Sequence, residues 1–177
     1  MQERMERLIE QAELPFGLRK VNPEFVTKGV REICNNMFAT TGMIYLHGLG
    51  LGKSTNAAAL LMSYMYGYAD CAAVTDIGLY VNAYELCYQN STRSRYQPNM
   101  WLSDHIERIR ICKCVVIDNL FATTTQQDDL LLQSIFDMRQ YYDGVTIYTS
   151  GVRNAFDSAS RVLQRIERSA KYKEEFL

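Results

Sequence analysis

The sequence predicts a single α/β domain built around a mainly parallel β-sheet. Short apolar segments alternate along the chain with longer segments of helical periodicity, the order that produces a parallel sheet covered by helices. The run from Cys114 to Ile117 is continuously apolar, as expected for a strand that is buried on both faces. A glycine-rich segment, His47 to Gly52, joins a predicted strand to a predicted helix. We therefore expect right-handed crossovers and a ligand site at the carboxyl ends of the strands.

Two helices are predicted before the first strand. The first carries an apolar stripe and ends at the turn 14–17; the stripe consists of Met5, Leu8, Ile9 and Ala12. Pro23 is predicted to open a second helix that closes near 41–42, and its apolar side consists of Val26, Val30, Ile33 and Met37. This pattern divides the chain into a lead-in, residues 1–22, and a main domain, residues 23–177.

The main domain is predicted to alternate four strands with helices. The predicted strands are 43–47, 77–81, 114–117 and 145–149. The predicted helices are 55–66, 82–88, 103–110, 126–142 and a last helix from about 158 into the C-terminus. Asn82, followed three residues later by Glu85, forms a capping pattern for the helix that begins there.

The segment after the first strand has the pattern of a phosphate-binding loop. Backbone N–H groups of such a loop surround a triphosphate, Lys53 reaches the outer phosphates, and the Ser54 hydroxyl can bind Mg²⁺. His47 stands where the pattern expects its first glycine, so Gly48 must help to make that turn. The alternative is a glycine-rich turn before a surface lysine. The predicted ATP-binding residues are His47, Gly48, Leu49, Gly50, Leu51, Gly52, Lys53, Ser54 and Thr55.

Asp118 supplies a second half of the nucleotide site. An aspartate at the end of a buried strand can hold the hydration shell of Mg²⁺ beside Ser54. The alternative is a turn residue that caps the following loop. Asn119 comes next, and an amide cannot act as a general base. Asn119 therefore positions a water molecule or senses the γ-phosphate, or else its presence means that turnover is slow. We expect any ATPase activity to be weak.

The chain resembles the AAA+ ATPases, and among them the DnaC/DnaI-type helicase loaders and the IstB-like transposition ATPases. The resemblance is carried by 13–16, 45–54, 79–81, 116–118, 148–150 and 160–166. It implies a three-layer P-loop NTPase core of the AAA+ type over 23–177. The sequence departs from the family in one respect, because we expect it to lack the small C-terminal helical lid that many AAA+ proteins carry. It further implies ATP and Mg²⁺ as cofactors, with a replicative DNA helicase as partner. Ser150, with Thr149, matches the polar sensor position of these loaders.

The same resemblance assigns a role to the late arginines. Arg165, and after it Arg161, match the arginine that loaders supply to a neighbouring subunit's nucleotide, which implies self-association through this helix. The alternative is an amphipathic helix that packs Val162 and Ile166 inward and presents its arginines to solvent. The sequence leaves these two interpretations open.

The functional prediction is an ATP-binding loader that acts in DNA replication with a replicative helicase, with single-stranded DNA, or with both. One alternative is a nucleotide-dependent adaptor or inhibitor that does not hydrolyse ATP. An IstB-like transposition ATPase and a small-molecule kinase are further alternatives, although no arginine-rich lid segment suits a second phosphorylated substrate.

Composition limits the possible partners of this 177-residue chain. The net charge of −1 lacks the basic excess of most nucleic-acid-binding domains. Arg93, Arg95 and Tyr96 lie in a polar loop that could contact single-stranded DNA, and the alternative is a solvated loop. No apolar stretch reaches the length of a membrane helix, and the charged N-terminus is unlike a signal peptide, so we expect a cytoplasmic protein.

Overall fold

The computed structural model describes residues 2–69, 76–92, 99–121, 125–157 and 160–177. Helices and strands alternate in these residues as the sequence predicts. The strands are β1 (Gly42–His47), β2 (Gly78–Asn82), β3 (Cys114–Leu120), β4 (Val145–Ser150) and β5 (Tyr172–Glu175). The helices are α1 (Gln2–Gln11), α2 (Lys28–Cys34), α3 (Lys53–Gly67), α4 (Ala83–Ser91), α5 (Met100–Ile111), α6 (Gln126–Gln140) and α7 (Arg161–Ser169).

The five strands form one parallel sheet in the order β2-β3-β4-β1-β5. Side chains alternate between its faces, so one hydrophobic cluster packs α1, α2 and α3 against the first face and another packs α4 to α7 against the second. Asn82 lies beside Asp118 and Leu46 beside Thr149, which brings the carboxyl ends of four strands to one edge. The predicted three-layer α/β fold is confirmed.

The lead-in packs directly on the sheet. Leu8, Ala12 and Leu14 are buried in the same hydrophobic cluster as α3. The backbone N–H of Tyr80 in β2 donates a 2.7 Å hydrogen bond to the carbonyl of Ala12. The lead-in therefore covers the outer side of β2.

The predicted second helix is wrong in its extent, because it is broken into three short pieces. Single 3₁₀ turns at Pro23–Phe25 and Met37–Ala39 flank α2, which begins only after Thr27. The side chain of Asn56, fully buried in α3, bonds the Thr27 N–H at 2.9 Å and the Phe25 carbonyl at 3.0 Å. These are backbone groups that a continuous helix would use, so a tertiary contact has replaced the helical ladder.

The predicted C-terminal helix is also wrong in its extent. It ends at Ser169, and the chain then forms β5, which pairs with β1 in a parallel register. β5 has only four residues and lies at the edge of the sheet with charged side chains, so it lacks the apolar pattern of a buried strand.

The remaining bounds differ from the predictions by a few residues. The Asn82 cap is confirmed, because its side chain accepts hydrogen bonds from the backbone of Tyr84 and Glu85. α5 begins at Met100 rather than Ser103, since Asn99 caps it. The loop with Arg93, Arg95 and Tyr96 lies outside the described residues.

Candidate nucleotide-binding site

The glycine-rich loop leaves β1 by a turn that Gly48 makes. Gly48 has a φ of +108° and Gly52 a φ of +96°, values that side-chain-bearing residues rarely adopt. His47 remains the last residue of β1, where its ring stacks on Tyr45 and its Nδ1 lies 3.1 Å from the Arg153 carbonyl oxygen. A histidine is therefore tolerated at the first position of the pattern, because the turn has moved one residue along the chain.

The loop leads into the first turn of α3, whose backbone N–H groups face the site without helical partners. The first i→i−4 hydrogen bond of this helix runs from Asn56 N to Gly52 O at 2.9 Å. The N–H groups of Lys53, Ser54 and Thr55 precede it and have no partner within the helix. Three N–H groups at the positive end of a 15-residue helix form the kind of position at which proteins hold phosphate.

A carboxylate and two hydroxyl groups meet beside this helix. Ser54 Oγ lies 3.0 and 3.1 Å from the two carboxylate oxygens of Asp118 and donates to them. Thr149 Oγ1 donates to Asp118 Oδ1 at 2.5 Å and accepts a hydrogen bond from Asn119 N–H at 2.8 Å. Asp118 is thus fixed from two sides near the end of β3, and the predicted pairing of Ser54 with Asp118 is present in the geometry.

Lys53 folds back over the loop. Its ammonium group donates to the carbonyl of Gly50 and lies 5.9 Å from the centre of the Phe176 ring. Partial burial lowers the pKa of Lys53, and the negative charge of Asp118 opposes this shift. The side chain carries a positive charge, which suits the outer phosphates, and it is close enough to Asp118 to interact with it electrostatically.

The segment after β5 runs along the loop. Phe176 N donates to His47 O at 2.7 Å, and Gly50 N donates to Phe176 O at 2.9 Å. A Cβ placed on Gly48 would lie 2.2 Å from Phe176 O, so this glycine is required by contact as well as by its φ. Two of the loop's own N–H donors are therefore bonded to the protein, because Gly48 N also donates to Val152 O at 3.2 Å.

Asn119 points away from the Ser54–Asp118 pair. Its φ is +64°, and the β3–β4 register shifts between Ile117 and Leu120. This irregularity turns the side chain into a different cavity, of about 510 Å³, which is also lined by Tyr84 and Phe121. Asn119 contributes its backbone N–H to the site, through Thr149, and not its amide.

The other predicted residues lie apart from the loop. Ser150 Oγ donates to Leu120 O at 2.9 Å, so of the two sensor candidates it is Thr149 that contacts Asp118. Arg165 lies over the Phe136 ring and forms a 2.5 Å ion pair with Asp137 of α6. Arg161, the first residue of α7, is exposed.

Sequence reasoning missed three residues near the site. Asn56 joins the chain at 25–27 to the loop through a 2.8 Å hydrogen bond to Gly52 O. Its only signal in the sequence is a polar residue directly before the apolar run 57–62. Tyr80 and Glu85 line the cavity beside Ser54 and Asp118. Their positions follow from the pairing of β2 with β3, which local patterns do not report.

Within the described ranges, no helix is long and apolar enough to cross a membrane.

Comparison with known proteins shows the fold. No protein family profile matches the chain, and no curated protein sequence matches it. The structure of DnaI is similar with a TM-score of 0.66 and 19% identity, covering 93% of this chain and 95% of that one. The DnaC helicase loader gives a TM-score of 0.60 and 16% identity, covering 84% and 86%.

A third similar structure is the replication initiator DnaA bound to AMPPCP and single-stranded DNA. It gives a TM-score of 0.62 and 13% identity over 88% of this chain, which spans half of the DnaA chain. These similarities show that the chain shares the fold of these three proteins, and they agree with the predicted α/β core.

Proposed function

We propose that this chain, which has the fold of an AAA+ core, is an ATP-binding protein of the helicase-loader type that acts in DNA replication. The observation that carries the proposal is the meeting of Ser54, Asp118 and Thr149 beside the loop that ends at Lys53. The carboxyl edge of a parallel sheet is where such folds bind ligands, and here that edge holds a cation, an anion and free N–H donors.

The residues at this edge fit a magnesium–triphosphate. Lys53 would pair with the outer phosphates after leaving the Gly50 carbonyl, and the N–H groups of Lys53, Ser54 and Thr55 would hold phosphate oxygens. Ser54 directly and Asp118 through water would hold Mg²⁺, which when bound neutralises charge on the phosphates. Thr149 keeps the Asp118 carboxylate oriented toward Ser54.

The similar structures support the partners that we propose. One is named a helicase loader and another holds single-stranded DNA, which favours a replicative helicase and a DNA strand as partners here. For self-association we propose Arg161 ahead of Arg165. Arg165 contacts Asp137 and Phe136, whereas Arg161 is exposed at the start of α7, where a neighbouring subunit's phosphates would have access to it.

A second candidate is an adaptor that binds nucleotide without turnover. Two observations favour it: Asn119 follows Asp118 where a carboxylate would act as a base, and the Phe176 carbonyl already accepts from the Gly50 N–H. An adaptor would use ATP as a signal for assembly and would release no phosphate.

The test is equilibrium binding of a fluorescent ATP analogue with Mg²⁺, together with phosphate release, for the wild type and Lys53→Ala. We expect magnesium-dependent binding in the wild type and a loss of at least about tenfold in affinity in the variant, since one charge-assisted contact contributes about 1.5 to 3 kcal/mol. Phosphate release stimulated by single-stranded DNA or a helicase supports the loader. Binding without release supports the adaptor, and equal binding by both proteins refutes the site.

A further inference from the structure

A cavity of about 380 Å³ opens beside the Ser54–Asp118 pair, away from the glycine-rich loop. It is lined by residues of the lead-in, β2, α4 and α5, among them Glu13, Tyr80, Glu85, Trp101 and His105. If ATP binds as proposed above, the outer phosphate lies between Lys53 and Asp118, and this cavity is the space from which water can reach it. The inference below rests on that proposed function.

Three carboxylates line this cavity, and two of them are already engaged. Asp118 is held by the hydroxyl groups described above. Glu13 pairs with Arg108 and with His105 of α5. Burial raises the pKa of Glu13, but the hydrogen bonds from His105 and Arg108 outweigh this effect and hold the pKa below its usual value. Glu85 accepts a 2.8 Å hydrogen bond from the Gln89 amide and has no cationic partner within the described part of the chain. Glu85 is the carboxylate left to accept a proton.

The backbone fixes the position of Glu85. Asn82 lies beside Asp118 in the β2–β3 register, and α4 starts at the next residue. Asn82 Oδ1 accepts from Tyr84 N at 2.9 Å, which holds the first turn of the helix in place. Glu85 lies in that turn and lines the same cavity as Asp118. A capped first turn is a rigid support for a catalytic side chain.

Tyr80 marks the same cavity as a place for a polar ligand. The residue is 95% buried, and its hydroxyl makes no hydrogen bond of ordinary length within the described residues, although Asp118 and Ser54 lie near it. Burial raises the pKa of Tyr80 above its usual value, and the charge and hydrogen-bonding oxygens of Asp118 raise it further, so the hydroxyl is a neutral donor. A buried hydroxyl without a partner costs about 1 to 3 kcal/mol, which a bound water or phosphate oxygen would recover.

We propose that Glu85 activates the water that attacks the outer phosphate, while the Tyr80 hydroxyl holds that water in line. The water oxygen forms a bond to the γ-phosphorus, and the bond from this phosphorus to the β–γ bridging oxygen breaks. The water proton passes to the Glu85 carboxylate, and ADP and inorganic phosphate leave. The carboxylate that is missing at position 119 is thus replaced from the neighbouring strand-to-helix junction, and Glu85 is a catalytic residue.

The test compares Glu85→Gln with the wild type in phosphate release and in binding of the fluorescent ATP analogue. Phosphate release should fall about 100-fold or more, the usual contribution of a general base, with affinity within about twofold of the wild type. Radiolabelled nucleotide recovered with the variant should remain ATP, whereas that recovered with the wild type should be mostly ADP. Glu107→Gln makes the same chemical change at the exposed Glu107–Arg110 pair and should behave as the wild type.

Tyr80→Phe adds a readout that does not depend on activity. Because the hydroxyl makes no hydrogen bond in the described part of the chain, its loss should leave the unfolding temperature of the nucleotide-free chain unchanged or raise it. Phosphate release should nevertheless fall by about threefold to tenfold, the value of one hydrogen bond. A lowered unfolding temperature would mean that the hydroxyl is satisfied within the fold, and would remove Tyr80 from the proposal.

The outcomes separate this inference from the proposed function. ATP binding with unchanged phosphate release in Glu85→Gln refutes Glu85 and leaves the ATP site standing. A wild type that binds ATP and releases no phosphate also refutes Glu85, and supports the adaptor. A wild type that binds no ATP refutes both.

Discussion

Replacement of Asn56 by alanine should destabilise the domain more than any other polar substitution in α3. The Asn56 side chain is fully buried and makes three hydrogen bonds, to Thr27 N, Phe25 O and Gly52 O, at 2.8 to 3.0 Å. Two of these bonds hold the chain before α2 against α3, and the third holds the end of the glycine-rich loop.

The expected loss follows from these contacts. At about 1 kcal/mol for each net hydrogen bond, the three bonds contribute about 3 kcal/mol to the free energy of unfolding. Backbone partners left buried without water would increase this value. For a domain of this size each 1 kcal/mol corresponds to about 2 to 4 °C, so the unfolding temperature should fall by about 6 to 12 °C.

The assay is urea denaturation and thermal unfolding, followed by circular dichroism. Asn36→Ala is the matched control, because Asn36 is exposed and its side chain makes only a 3.4 Å hydrogen bond to Glu32 O within the described residues. The free energy of unfolding of this variant should differ from that of the wild type by less than about 0.5 kcal/mol. A loss below about 1 kcal/mol in Asn56→Ala would refute the argument that this side chain interrupts the second helix and supports the loop.

Four other substitutions test separate parts of the structure. Gly48→Ala should lower the free energy of unfolding by about 1 to 3 kcal/mol, and the unfolding temperature by several degrees. The reasons are the φ of +108° at Gly48 and the carbonyl oxygen 2.2 Å from the added carbon. Arg139→Met should cost about 3 kcal/mol or more, since this buried guanidinium bonds three backbone carbonyls in the structure. Arg161→Ala should lower phosphate release about 100-fold or more at high protein concentration, whereas Arg165→Ala should mainly lower the unfolding temperature.

Each of these has a direct check. Thermal unfolding measures the first two, and Gly17→Ala is the control for Gly48→Ala, because nothing lies within 4 Å of the added carbon. Equal stability of the two glycine variants would contradict the close approach of the C-terminal segment. An Arg139→Met protein as stable as the wild type would mean that water replaces the guanidinium. Loss of phosphate release in Arg165→Ala alone would show that the ion pair with Asp137 opens on assembly.

The parts of the site that could be predicted are those that belong to short local sequence patterns. Lys53, Ser54 and Asp118 belong to short patterns whose strand and helix context can be read locally, and the structure brings Ser54 and Asp118 together. The orientation of Asn119 could not be predicted, because it depends on a register shift between β3 and β4. The role of Glu85 depends in the same way on the β2–β3 pairing.

The errors in the fold prediction have two different causes. The second helix was predicted from periodicity and Pro23, yet Asn56 binds its backbone from another element, an interaction that no local pattern contains. β5 was missed because a four-residue edge strand with Lys173, Glu174 and Glu175 has no apolar run. In the second helix, tertiary contacts outweighed the helix propensity of the segment. In β5, the sequence pattern was too weak to indicate the strand.

The lead-in's hydrogen bond to β2 protects one edge of the sheet. A parallel sheet has two edge strands, and an uncovered edge is a template on which other chains can add strands. Here the Ala12 carbonyl accepts a hydrogen bond from the Tyr80 N–H on one edge, and the other edge is the short, charged strand β5. A fragment that began after residue 22 would expose the β2 edge together with the apolar surface that Leu8 and Leu14 cover. Such a fragment should aggregate, so the first twenty residues protect the sheet against misassembly.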